Sequence, residues 1–225
     1  MKPPVTQASY SARALICCVV VLLACSSQAR NQSFVQGTLR AHELKGLYGE
    51  HTAPACTRYL TSLVRHLAGA DAYDLSVRLL ATHEPLAVAP GNNEILISAG
   101  LVKNLNSEAE AAFMLTHEAG HVVLQHQLHL VASAPLLDAS RRRTIELEAD
   151  RFALDKLNDA GYNTAAALSA LDRVYRLSPD FESSQDYPTL QERIKHLSSR
   201  VLSTSNYSRG IEDRREFQRC RRSLQ

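Results

Sequence analysis

The pentapeptide HEAGH at residues 117–121 constrains this chain more than any other feature, because it lies inside a well-defined predicted helix. Ser107 is a good helix N-cap, and Glu110, three residues later, completes a capping box before an apolar run. Helix residues that are four apart lie on one face about 5.4 Å apart, so His117 and His121 can bind the same metal ion. The spacing therefore predicts a metal site on a helix that begins after Ser107.

Glu118 follows the first histidine and points toward the open coordination position of such a site. There it can accept a proton from a zinc-bound water, as in the HExxH pattern of zinc metallopeptidases. Gly120 supports this interpretation, because a glycine inside a helix costs about 1 kcal/mol and indicates close packing. The alternative is a solvent-facing helix with two incidental histidines, but residues 113–115 and 122–124 are apolar and predict burial on most sides. We expect one zinc ion per chain.

A third metal ligand is predicted on the next helix, within the sequence ELEAD. Glu146 and Asp150 are four residues apart and project from the same face. Glu146 can bind the metal while Asp150 accepts the other ring N–H of a ligating histidine. Glu148 lies two residues from each and points elsewhere. A solvated charged face is the usual alternative for such acidic runs, although the small Ala149 and Ala153 argue weakly for close packing.

HEAGH followed by ELEAD resembles the HtpX, BepA and CAAX-prenyl-protease family of zinc metallopeptidases, which carries HExxH and then ExxAD. The resemblance implies an α+β, mainly helical, zincin-like domain over residues 41–203, with a small antiparallel sheet and the HExxH motif on its active-site helix. No membrane helix separates the two motifs, so the chain is similar to the small lipoprotein branch of the family. The resemblance implies that His117, His121 and Glu146 are the zinc ligands. It also implies that Glu118 is the general base and that Asp150 is the carboxylate that orients a ligating histidine.

Residues 90–100 resemble the strand and turn that precede the active-site helix in this family, where an edge strand pairs with an extended substrate. The resemblance therefore implies that the substrate backbone binds along Glu94, Ile95, Leu96, Ile97 and Ser98. Arg143 matches the arginine of the family's second motif helix. His126 matches a common extension of the first motif and is not a ligand there.

Tyr187 begins a segment that resembles the HPxxxxRI segment of the family, and it stands where the family commonly has histidine. Its hydroxyl could donate a hydrogen bond to a tetrahedral intermediate, and so could Arg193, the arginine of that segment. Tyr187 is equally well explained as a turn residue before Pro188.

The N-terminus is typical of an exported protein. Residues 14–24 form an uncharged apolar stretch that follows basic residues and is too short to span a bilayer comfortably, so residues 1–24 are predicted to be a signal peptide. The tetrapeptide Leu-Leu-Ala-Cys that ends at Cys25 resembles the bacterial lipobox, which implies that Cys25 is acylated and anchors the chain. Ser26 favours the outer membrane. An ordinary cleaved signal or an uncleaved anchor helix are the alternatives.

The composition excludes several classes of protein. With 25 Lys and Arg, 23 Asp and Glu and 45% hydrophobic residues, the chain is neither disordered nor a strongly basic nucleic-acid binder. Polar residues 25–40 are predicted to form a tether, and residues 204–225 a basic C-terminal tail, solvated or in contact with anionic lipid or a partner. Cys56 and Cys220 form either a disulfide or two unrelated thiols.

These patterns predict a zinc-dependent endopeptidase on the periplasmic face of the bacterial cell envelope, acting on misfolded or unassembled envelope proteins. The expected partners are extended protein or peptide substrates and, through the lipid, a membrane; no nucleic acid is expected, and the oligomeric state is left open. A lipoprotein chaperone or adaptor with a latent or structural zinc site is the second hypothesis. A hydrolase of non-peptide bonds is the third, disfavoured by the substrate strand.

Overall fold

The computed structural model describes residues 28, 30–127, 139–180 and 187–224. The predicted signal peptide over residues 1–24 and the predicted lipid attachment at Cys25 lie outside these residues. Among the helices of the described ranges, none combines the length and the apolar character needed to cross a bilayer.

The described ranges are mainly helical and contain one small sheet, so the predicted α+β class is confirmed. The helices are α1 over residues 30–48, α2 Pro54–Ala68, α3 Ala99–Asn104, α4 Glu108–Val123, α5 Ala139–Asp159, α6 Ala166–Leu177, α7 Leu190–Ser203 and α8 Arg215–Arg222. The strands are β1 Ser76–Leu80, β2 Ala87–Val88 and β3 Glu94–Ser98.

The sheet is mixed, with the strand order β1–β3–β2, and the predicted antiparallel sheet was therefore wrong for one of its two pairings. β1 runs parallel to β3, with Val77 opposite Ile95, whereas β2 runs antiparallel to β3, with Ala87 opposite Ile97. The prediction that residues 94–98 form the substrate-binding edge was also wrong, because β3 is the central strand. It pairs with β1 along its whole length and with β2 at Leu96 and Ile97. The edge strand beside the active-site helix is β2.

The described part of the predicted tether over residues 25–40 is helical, because residues 30–40 belong to α1. Its role as a tether stays a prediction. α1 buries Ala41 and Leu44 in a small apolar cluster against the sheet. Gly37 lets the helix approach the turn before β3, because a Cβ on Gly37 would lie 2.7 Å from the carbonyl carbon of Gly91. Within residues 30–40 themselves, only Ser33 and Gly37 are buried.

The predicted C-terminal tail over residues 204–225 is described up to residue 224, and this part packs on the domain through α8, so a solvated tail was wrong there. α8 buries Phe217 and Cys220, and Leu224 follows on the same side. Cys56 and Cys220 form a disulfide that joins α8 to α2. These apolar side chains recur at helical spacing among arginines, so the charge excess concealed an amphipathic helix.

α4 occupies the centre of the domain and is buried from Glu108 to Gly120. It packs against α2, α5, α6 and the sheet. The close packing predicted at Gly120 is confirmed, because a Cβ there would lie 3.1 Å from the ring of Phe152 and 3.5 Å from the Cα of Ala149 on α5. This close contact brings the two motif helices together.

Candidate active site

Three ligand atoms from α4 and α5 converge at one point. The Nε2 atoms of His117 and His121 lie 3.2 Å apart, and the Glu146 carboxylate oxygens lie 3.3 Å from His117 Nε2 and 3.6 Å from His121 Nε2. In a tetrahedral zinc site with metal–ligand bonds of about 2.0–2.1 Å, neighbouring ligand atoms lie about 3.3 Å apart. Two imidazoles and one carboxylate at these separations therefore fit a zinc ion in both geometry and donor chemistry.

The ring of His117 is held from behind by a buried ion pair. Its Nδ1 lies 3.0 Å from Asp150 Oδ1, and because a carboxylate only accepts, Nδ1 carries the proton and Nε2 faces the site. Arg193 donates to both Asp150 oxygens, from Nε at 2.8 Å and from Nη2 at 2.5 Å. Arg193 thus supports Asp150 from behind, and the oxyanion role considered for it stays a prediction.

His121 is held from behind by different groups. Its Nδ1 lies 3.0 Å from Nδ1 of His126, whose Nε2 lies 3.3 Å from a carboxylate oxygen of Glu148. The sequence alone indicates that His126 is an extension of the first motif and that Glu148 is an acid that points away from the metal. Their contact with each other could not be deduced from the motif spacing.

The electrostatics of the two histidines are opposite. Burial would lower the pKa of His117, but hydrogen bonds to Asp150 and Glu146 outweigh it and raise that pKa to about 9. Burial lowers the pKa of His121 to about 3. Burial opposes ionisation of Glu146, yet the hydrogen bond with His117 and the charge on neighbouring groups lower its pKa to about 2. Asp150 likewise stays ionised despite burial, with its pKa lowered to about 2 by Arg193.

Glu118 lies beside the ligands in a cavity of about 220 Å³. Burial raises the pKa of its carboxyl to about 7, and the backbone amide of Ala89 donates a hydrogen bond to it. Residues 85–89, which include β2, form one wall of the cavity, and Met114 and Val174 are among the apolar residues that line the rest. The sheet edge and the candidate general base therefore share one cavity with the metal ligands.

Residues 81–210, more than half of the 225-residue chain, match the peptidase U49 family. The chain belongs to this family. It is also similar to the mitochondrial metalloendopeptidase OMA1 of Arabidopsis thaliana, with 27% identity over 160 residues that cover 59% of this chain and 33% of that relative. The chain thus spans about a third of the relative's length. The predicted metallopeptidase domain is confirmed, whereas the comparisons do not single out the HtpX, BepA and CAAX-prenyl-protease group.

Tyr187 lines the cavity of the U49 domain and is 40% exposed. Its backbone carbonyl accepts a hydrogen bond of 2.8 Å from Nη1 of Arg143, and Nη2 of Arg143 also donates to Glu192 on α7. Arg143 thereby fastens the segment around Tyr187 to α5. The oxyanion role of the Tyr187 hydroxyl stays a prediction.

Proposed function

We propose that this protein is a zinc-dependent endopeptidase of the bacterial cell envelope that hydrolyses misfolded or unassembled envelope proteins. The observation that carries the proposal is the convergence of His117, His121 and Glu146 beside the buried carboxyl of Glu118 in a cavity walled by a sheet edge. Membership of a peptidase family and similarity to a metalloendopeptidase support it.

The chain's own residues suit water-dependent cleavage of a peptide bond. A zinc ion bound by the two histidines and Glu146 would lower the pKa of water and polarise the scissile carbonyl. Glu118 accepts the proton of the attacking water and passes it to the leaving amine. Its pKa near 7 suits both steps at neutral pH, and the Ala89 amide holds the carboxylate in place.

The substrate binds in an extended conformation by strand addition to β2. β2 is the edge strand on the cavity side, and the Ala89 amide that follows it contacts Glu118. Because strand addition uses backbone hydrogen bonds, the site would accept substrates with many different side chains. An enzyme that removes misfolded proteins needs this broad specificity. In this proposal β2, and not residues 94–98, binds the substrate backbone.

A chaperone or adaptor with a structural zinc site is less well supported. Structural zinc sites are closed by four protein ligands, whereas catalytic sites use three and leave one position open. Within the described residues, the cluster supplies three ligands, and an acid stands beside them. This donor set favours catalysis.

We also propose that Cys25 carries the lipid anchor and that the domain faces the periplasm from the outer membrane. The support is the resemblance of residues 22–25 to the lipobox. In a bacterial host, a Cys25→Ala variant should lose incorporation of labelled palmitate and leave the membrane fraction. Unchanged labelling of this variant would contradict the anchor.

The peptidase activity is tested by degradation of unfolded casein by the purified chain. A metal chelator and the Glu118→Gln variant should each reduce the rate at least about a hundredfold, because both remove activation of water. Glu43→Gln, at an exposed position on α1, is the matched control and should cleave normally. Normal cleavage by Glu118→Gln would overturn the proposal.

A further inference from the structure

We propose that His126, oriented by Glu148, is a positioning residue that fixes the tautomer of His121 and thereby sets the affinity of the site for its metal. The inference rests on the proposed zinc site and adds a residue that is neither a ligand nor a general base. It follows from the path of the chain after α4 and from the contacts of the two rings.

The end of α4 brings His126 back toward the site. On a continued helix, His126 would lie about 140° around the axis from His121, because successive residues are about 100° apart. The helix instead ends at Val123, and Gln125 adopts a positive φ of 56°. This turn places the two imidazole rings edge to face, with centroids 5.1 Å apart.

The hydrogen bonds determine where each proton lies. His121 binds a metal through Nε2 only if its proton is on Nδ1, since a neutral imidazole carries one N–H. That proton faces Nδ1 of His126 at 3.0 Å, so this nitrogen must accept. The proton of His126 is then on Nε2, where it faces Glu148 Oε2 at 3.3 Å.

The burial and contacts of His126 indicate that it orients the ring of His121 through their hydrogen bond and does more than fill space. It is 2% exposed, and its two ring nitrogens face side chains of the two motif helices. His126 accepts a hydrogen bond from His121 at one ring nitrogen and donates one to Glu148 at the other. A buried imidazole bonded in this way holds the ring of His121 in one orientation. Partners of this kind are typically worth about tenfold to a hundredfold in metal affinity.

Two substitutions separate positioning from packing. His126→Leu fills the space without an acceptor, whereas His126→Asn can place its side-chain oxygen near the position of Nδ1. We expect His126→Leu to weaken zinc binding about tenfold to a hundredfold and His126→Asn to recover most of that loss. His66→Leu, an exposed histidine on α2, is the control and should bind zinc as the wild type does.

Zinc dissociation constants are measured by competition with a fluorescent chelator, beside circular dichroism of the metal-free variants and visible spectra of the cobalt forms. The cobalt spectrum should change in His126→Leu and return toward wild type in His126→Asn. Wild-type affinity in His126→Leu, or equal losses in both variants, would overturn the inference. Because the readout is affinity, a zinc-binding wild type that fails to cleave casein contradicts only the proposed function.

Discussion

His117 and His121 lie one turn apart on the same helix, but different groups support them from behind. Behind His117 stands a charged pair, Asp150 and Arg193, whose side chains are 0% and 9% exposed. Behind His121 stands a neutral ring that leads to Glu148, whose side chain is 43% exposed. One support is buried and ionic, and the other reaches solvent.

This difference assigns the two supports different tasks. Asp150 places a carboxylate beside His117 and, together with Glu146, raises the pKa of His117 to about 9. Through Arg193 the pair also links α4, α5 and α7. The neutral support leaves the pKa of His121 low, at about 3, and only selects a tautomer. Stability should therefore depend mainly on the first support, and the orientation of one ligand on the second.

The largest effect is expected from Asp150→Asn. The substitution keeps the shape of the side chain but leaves the buried Arg193 charge without its partner, so the metal-free protein should lose about 3–5 kcal/mol of unfolding free energy. Urea denaturation followed by circular dichroism measures this loss. A loss below about 1 kcal/mol would show that the ion pair does not hold the helices together.

An intermediate effect is expected in the pH dependence of zinc binding. His117 must release a proton to bind zinc, and its pKa is raised to about 9, so affinity should rise with pH about tenfold per unit from neutral pH and level off near pH 9. Calorimetry in buffers of different ionisation enthalpy should show release of about one proton at pH 7. Asp150→Asn should reduce this release, because the pKa of His117 falls. Binding without proton release would contradict the assigned charge.

The smallest effect is expected from Glu148→Gln. The Glu148 side chain is partly solvated, so the loss of its charge should cost less than about 1 kcal/mol in the same urea experiment. A cost as large as that of Asp150→Asn would remove the distinction between the two supports.

The ligands were predictable from sequence because their geometry is local. HEAGH and ELEAD each lie within one helix, where four-residue spacing determines which side chains share a face. Which helix faces which is not local, but the ligand set His117, His121 and Glu146 implied that α4 and α5 meet. The structure brings these three residues together.

The features that were missed depend on chain reversals or on pairing across the fold. The order of the strands depends on pairing across the fold: the family resemblance implies that residues 94–98 form an edge, whereas β3 lies between β1 and the two-residue β2. His126 lies beside the site because Gln125 adopts a positive φ and turns the chain. Glutamine rarely adopts a positive φ, so the sequence does not predict this turn. The packed terminal segments were hidden by their polar and charged composition.

The central claim is that His117, His121 and Glu146 hold one zinc ion. The most direct measurement is the zinc content per chain after dialysis, for the wild type and for Glu146→Ala. We predict about one zinc ion per wild-type chain and close to none in the variant, because two histidines alone bind zinc weakly. Equal zinc content in both proteins would contradict the account.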